Sequence, residues 1–226
     1  MDRLAVLKKS SFFNSFSDTT RVEINRLFVE ERHEKDDYVF FEGDAPEWFY
    51  LVKEGKVKLV KHSGTGKDVI LQIFVPGDMF GEISLFDRKP YSSSAQLMEP
   101  STILKLSRKD FFLLLGRHPF VATEMIMELG RQIQEAHTTI KSLAVDRVEQ
   151  RLAHILLKLA DKLGTPEKNG ILLNLSLTRQ DLADMAGTTV ETTIRVMSRF
   201  TKTKIIKPVN GKIFILDSKA LKGITE

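Results

Sequence analysis

Glu191, Ile194, Arg195 and Ser198 recur at intervals of three and four, so on a helix they share one face. That face carries a carboxylate, a guanidinium and two small contacts, a set that suits a DNA major groove. Arginine donates two N–H groups to guanine O6 and N7, and glutamate accepts from cytosine N4. Arg179, Gln180, Thr189 and Thr192 lie beside this face with groups suited to phosphate oxygens, which set register but carry no sequence information.

Two short helices joined at Gly187 are expected to position these residues. Thr178 caps the first, whose apolar face is Leu182, Ala183, Met185 and Ala186. Thr189 caps the second, whose stripe is Thr193, Val196, Met197 and Phe200. A plain helical hairpin has the same features, but the residues that follow separate the two readings. Ile205–Leu216 holds two β-rich runs around Asn210-Gly211, the dipeptide that favours a tight type I′ hairpin. A hairpin directly after a recognition helix is the wing of a winged helix.

The chain has 226 residues, enough for one large domain or two smaller ones. Residues 147–226 hold 14 Lys and Arg against 8 Asp and Glu, whereas residues 1–146 hold 20 against 22, so the basic surplus sits with the DNA-reading segment. The absence of cysteine excludes disulfides, thiolate zinc sites and cysteine-ligated iron–sulfur clusters. No apolar run is long enough for a bilayer, and Met1-Asp2-Arg3-Leu4 does not open a signal peptide, so a cytoplasmic protein without a membrane partner is expected. Asp78, Glu82 and Asp87 are acids without a nucleophile–base pair or metal-ligand set, and His33, His62, His118 and His154 have no ligand spacing. Neither pattern describes an enzyme or a metal site.

Between residues 17 and 107 the sequence breaks into short β-rich runs: Tyr38–Phe41, Trp48–Val52, Val57–Val60, Val69–Phe74, Met79–Phe80, Ser94–Met98 and Thr102–Leu106. Helices are expected at Arg21–Phe28, opened by Asp18 or Thr19, and at Lys109–Leu115, ending at Gly116. A long helix at Phe120–Leu143 carries a narrow apolar seam of Met125, Leu129, Ile133, Ala136, Ile140 and Leu143, suited to pairing with its own copy in a homodimer. Packing on the β domain is the other reading of that seam. Ala144-Val145-Asp146 reads as a hinge, with Asp146 capping Arg147–Leu163 and a loop at Pro166–Gly170. The expected domains are 1–118, 119–145 and 146–226.

This arrangement resembles the Crp/Fnr family of bacterial transcription regulators over nearly the whole chain. Gly43, Gly55, Gly66, Gly77 and Gly81 fall at the spacings of the family's turn glycines, around Glu42-Gly43-Asp44, Leu51–Val57 and Phe74–Glu82. The resemblance implies an α+β fold with an N-terminal double-stranded β-helix, a β-roll like cyclic-nucleotide-binding domains. A long dimerisation helix and a C-terminal winged helix-turn-helix follow it. It also implies four partners: palindromic double-stranded DNA, a second copy, RNA polymerase and a small-molecule effector. The effector pocket maps to Gly81, Glu82, Ile83, Ser84, Tyr91, Ser92 and Ser93, with Ala136 and His137 from the long helix. In members that bind cyclic AMP, the Glu holds the ribose 2′-hydroxyl and an Arg neutralises the phosphate. Tyr91 stands at the position of that Arg, so the usual mode loses a charged hydrogen bond of about 1.5–3 kcal/mol. Arg88 or Lys89 in a non-standard phosphate site is the alternative. His137 reads as a pH sensor, a haem ligand, an effector contact or a plain surface residue. The effector is thus an unidentified small molecule, a haem-bound gas, or none for a dimer competent without ligand, with an anaerobic or nitrosative stress role implied by resemblance alone. Glu191 and Arg195 match the family's base-reading pair, and the implied half-sites are TTGA with TCAA or TGTGA with TCACA.

Overall fold

A computed structural model describes residues 2–64 and 67–225, and the chain divides into two compact units, 1–133 and 134–226. Gly66, one of the expected turn glycines, lies outside the described residues. Gly43, Gly55, Gly77 and Gly81 all have positive φ, as their turns require.

The first unit opens with α1 (Arg3–Lys9) and α2 (Asp18–Leu27). Next come β1 (Val29–His33), β2 (Tyr38–Phe40), β3 (Trp48–Glu54), β4 (Val57–His62), β5 (Asp68–Phe74), β6 (Met79–Phe80), α3 (Glu82–Asp87), β7 (Ser94–Leu97) and β8 (Ser101–Ser107). It closes with α4 (Arg108–Arg117) and the first part of α5 (Pro119–Val145). The strands form two antiparallel four-stranded sheets, ordered β1-β8-β3-β6 and β2-β7-β4-β5. The run Phe49-Tyr50-Leu51-Val52 on β3 is continuously apolar because both faces of its sheet are covered. Phe49 and Leu51 join Phe12, Phe13, Leu106 and Phe111 in a cluster with the helices, while Tyr50 and Val52 join Phe74, Phe80 and Leu97 between the sheets.

Several local expectations are corrected. Ser17, not Asp18 or Thr19, caps α2, its Oγ accepting from Thr20 N at 3.1 Å. Ser107 caps α4, which runs past Gly116 to Arg117. Met125, expected on the exposed seam, is buried in the unit's own core, and Leu129 packs against that core. Their side of the helix lies on the domain, one turn apart at each step from Val121. Ile133, Ile140 and Leu143 of the expected seam are exposed, at 54%, 63% and 48%, and Ile126, seven residues before Ile133, is 70% exposed.

The second unit takes the rest of α5, then α6 (Val148–Leu163), β9 (Gly164–Glu167), β10 (Gly170–Ser176), α7 (Arg179–Ala186), α8 (Val190–Lys202), β11 (Ile206–Val209), β12 (Lys212–Ile215) and α9 (Ser218–Thr225). Its sheet is ordered β11-β12-β10-β9, with Pro208 opposite Ile213 and Pro166 opposite Ile171 on the two edges. Asn210 and Gly211 have φ of 49° and 76°, the two positive values that a type I′ turn demands. The expected loop after α6 is shorter, because Gly164–Glu167 pairs with β10. Asp146 is not the cap of α6. Gln150 Oε1 accepts from Arg147 N at 3.0 Å there, while Asp146 Oδ2 accepts from Ser142 Oγ at 2.6 Å. No helix among the described residues is long and apolar enough to cross a membrane.

Leu152, Leu156, Leu173, Leu182, Phe200, Ile215 and Leu221 build the core of this unit, and Phe200 is fully buried. Phe200→Ala is therefore expected to cost about 3–5 kcal/mol. Hydrogen exchange of the α6 and α8 amides under urea checks this, and unchanged protection would contradict the assigned core.

Candidate nucleic-acid interface and effector pocket

The candidate face is built by caps at both ends of a turn. Thr178 Oγ1 accepts from Asp181 N and Asp181 Oδ2 accepts from Thr178 N, both at 3.0 Å, which starts α7. Gly187, at φ +58°, ends it in the left-handed conformation, and a Cβ there would stand 3.2 Å from Leu143 Cδ2. Arg151 Nε donates to Ala186 O at 2.8 Å, satisfying a carbonyl at the end of α7. Thr189 Oγ1 accepts from Thr192 N at 3.2 Å and starts α8.

Helix α8 buries Thr193, Val196, Met197 and Phe200 as its stripe predicts, with Thr193 Oγ1 donating to Thr189 O at 3.1 Å. The opposite side leaves Glu191, Ile194, Arg195 and Ser198 exposed together. The Glu191 backbone N–H and the Thr189 hydroxyl hold the Glu191 carboxyl below its ordinary value. It is therefore an ionised acceptor at neutral pH. Gln180 and Thr189 are also exposed, while Arg179 and Thr192 are half-buried. Gln180 Nε2 donates to Asp184 Oδ1 at 2.6 Å.

In the first unit, Gly81, Glu82, Ile83, Ser84, Tyr91, Ser92 and Ser93 line one cavity of about 80 Å³. Gln132 completes it, and Ala136 and His137 are exposed on α5 and absent from its lining. Glu82 is 3% exposed, and its Oε1 accepts from Gln132 Nε2 at 2.8 Å. Its Oε2 is buried without a partner, and burial raises the carboxyl above its ordinary value. Tyr91 stacks on Phe40 with ring centroids 3.8 Å apart, and its hydroxyl donates to Trp48 O at 2.8 Å. Arg88 and Lys89 do not line the cavity, and Lys89 pairs with Asp87 at 3.6 Å.

Haem does not fit these residues. The lining offers no histidine, methionine or cysteine, and its one phenol is bound to a backbone carbonyl. Sequence reasoning missed Gln132, which reads as one polar residue among many on α5. Only its reach to Glu82 distinguishes it.

Residues 30–118 match the cyclic nucleotide-binding domain and residues 150–224 match the Crp-like helix-turn-helix domain. The cyclic AMP receptor protein of Thermus thermophilus is 31% identical over 82% of this chain and 83% of its own length. This chain belongs to the Crp/Fnr family. The anaerobic regulatory protein of Bacillus subtilis is 27% identical over 85% of this chain and 82% of its own. Among solved structures, a CooA mutant from Carboxydothermus hydrogenoformans superposes with a TM-score of 0.76 at 26% identity, covering 100% of this chain and 96% of that one. FixK2 from Bradyrhizobium japonicum shares the fold at a TM-score of 0.80 and 22% identity, covering 88% and 98%. The Crp/Fnr assignment makes this chain a DNA-binding transcription regulator, since the relatives and folds it matches are regulators and not enzymes.

Because burial raises Glu82, the folded protein keeps a proton that the unfolded chain has released, so its stability falls as pH rises above the ordinary value of 4.5. Glu82→Gln removes that slope. The stability gap in favour of the variant is expected to widen from pH 4 to pH 7, read from urea midpoints of the first unit, and a constant gap would contradict a buried titrating carboxyl.

Proposed function

We propose that this regulator works as a homodimer on a palindromic DNA site, under control of a small molecule held around Glu82. The observation that carries the reading is the division of α8, with one side wholly buried and Glu191, Ile194, Arg195 and Ser198 open on the other. Glu191 and Arg195 read bases, Ile194 and Ser198 make the smaller contacts, and Arg179, Gln180, Thr189 and Thr192 hold phosphates. The half-sites are TTGA with TCAA or TGTGA with TCACA. A second copy pairs along α5 through Ile126, Ile133 and Ile140, with Leu129, Ala136 and Leu143 beside them. The heptad spacing of these exposed isoleucines supports that pairing. RNA polymerase is the further partner, and the cytoplasm is where these partners meet.

The effector acts by shifting the population of dimers whose recognition helices stand about one DNA turn apart, roughly 34 Å. His137, exposed on α5, is an additional contact once a ligand or second copy is present. Cyclic AMP in the usual mode lacks its guanidinium, because Tyr91 is tied to Trp48 O. The likeness to the anaerobic regulatory protein supports a role in anaerobic stress. A second reading, a cyclic nucleotide in a non-standard phosphate site, is favoured by the unpartnered Oε2 of Glu82, an acceptor awaiting a hydroxyl.

Gel shifts on a palindromic half-site library test the assignment. Arg195→Ala and Glu191→Ala are each expected to lose about 1–3 kcal/mol per half-site and to relax preference at one base pair. Arg179→Ala is expected to weaken all sequences alike and to lower the salt slope by about one. Unchanged sequence-specific binding in both base-reading variants would overturn the assignment.

A further inference from the structure

Asparagine followed by glycine occurs twice in the second unit, at Asn169-Gly170 and at Asn210-Gly211, in two different surroundings. At the β9–β10 hairpin Gly170 is already part of the ladder, opposite Glu167. Its backbone is pressed against the next strand, since a Cβ on it would stand 2.1 Å from Ile215 O. Asn210-Gly211 instead lies between Val209 and Lys212, the pair that closes the β11–β12 ladder, so neither turn residue belongs to that ladder. Both are exposed, and a Cβ on Gly211 would meet nothing within 4 Å. Asparagine is thermolabile because the next backbone nitrogen can attack its side-chain amide. The attack needs a nitrogen outside the ladder and a residue that lets the chain swing, as glycine does. Gly211 meets both conditions, whereas Gly170 is held by the strands on either side.

We propose that Asn210 is a site of spontaneous deamidation, converting faster than Asn169, and that its conversion weakens the grip of the wing on DNA. The Gly211 nitrogen attacks Cγ of Asn210, and the new C–N bond closes a five-membered succinimide. The side-chain nitrogen leaves as ammonia, carrying the proton that Gly211 gives up. Water then opens the ring at either carbonyl and leaves an aspartate or an isoaspartate at position 210, with no change of oxidation state. Either product places an anion two residues from Lys212 and three from Lys207. The Lys212 ammonium donates to Asn174 Oδ1 at 2.5 Å, and that of Lys207 stands 4.5 Å above the Phe214 ring. Isoaspartate also lengthens the backbone of a turn whose φ values of 49° and 76° fit two residues and no more. The effect on DNA rests on the DNA-reading assignment, since a new carboxylate repels phosphates. The conversion itself does not.

The test is to age the full-length protein in warm alkaline buffer beside Asn210→Gly, a variant that keeps a two-residue turn of the same type and has no amide to lose. Samples taken over days are digested and weighed by mass spectrometry. The mass gain of amide-to-acid conversion is expected to accumulate at position 210 about tenfold or more faster than at Asn169. No gain at 210, or equal rates at the two sites, overturns the proposal. In gel shifts at low salt, aged wild type is expected to bind a palindromic site about threefold or more weakly than fresh protein, with aged Asn210→Gly unchanged. Equal loss in both proteins, or none in converted wild type, also overturns it. Fresh protein that binds no DNA sinks the DNA-reading assignment instead, while the masses still decide the conversion.

Discussion

Arg151 projects from α6 and directs its donors to two backbone carbonyls, Ala186 O at 2.8 Å and Asp146 O at 3.0 Å. Each carbonyl lies where the chain changes course, one at the end of α7 and one between α5 and α6. Carbonyls at a helix C-terminus carry partial negative charge, so a guanidinium there is doubly favoured, as donor and as cation. This clasp and the left-handed Gly187 fix the direction in which the chain enters α8. The exposed face of α8 inherits its orientation from them. Arg151, on a different helix, thus holds the turn from which Glu191 and Arg195 are presented.

The first unit solves a different problem, that of keeping a polar pocket beside an aromatic core. Phe40, Tyr50, Phe74, Phe80 and Tyr91 pack between the two sheets. Tyr91 and Phe40 stack face to face, and Tyr50 stacks on Phe80 with centroids 5.1 Å apart. Burial raises the Tyr91 hydroxyl above its ordinary value, so it stays neutral and serves as a donor to Trp48 O. Glu82 remains the polar group at the edge of that core, tethered by Gln132 through one oxygen only.

The sequence was most legible where one residue type has one physical use. Gly187, Asn210-Gly211 and the stripe Thr193, Val196, Met197 and Phe200 named the winged helix without ambiguity. It was least legible where neighbours decide. β1 is Val29-Glu30-Glu31-Arg32-His33, a polar segment that becomes a strand because β8 pairs with it and because Lys53 and Lys105 meet Glu30 and Glu31 at 2.8 and 2.6 Å. β9 contains proline and reads as a loop until β10 is beside it. Met125 fits a seam by spacing, but the helix lies on its own domain over that stretch. In the pocket, Glu82 and its glycine were recognisable from the local pattern, whereas Gln132 comes from a distant segment, and only folding brings it near.

The sheet of the second unit also constrains how molecules can meet. Its outer strands β11 and β9 carry Pro208 and Pro166, residues with no N–H to donate, and each strand is four residues long. An extended peptide cannot add to either border with a full ladder of main-chain bonds. The unit is therefore guarded against runaway strand-to-strand polymerisation, a hazard for any protein crowded at high local concentration along a chromosome.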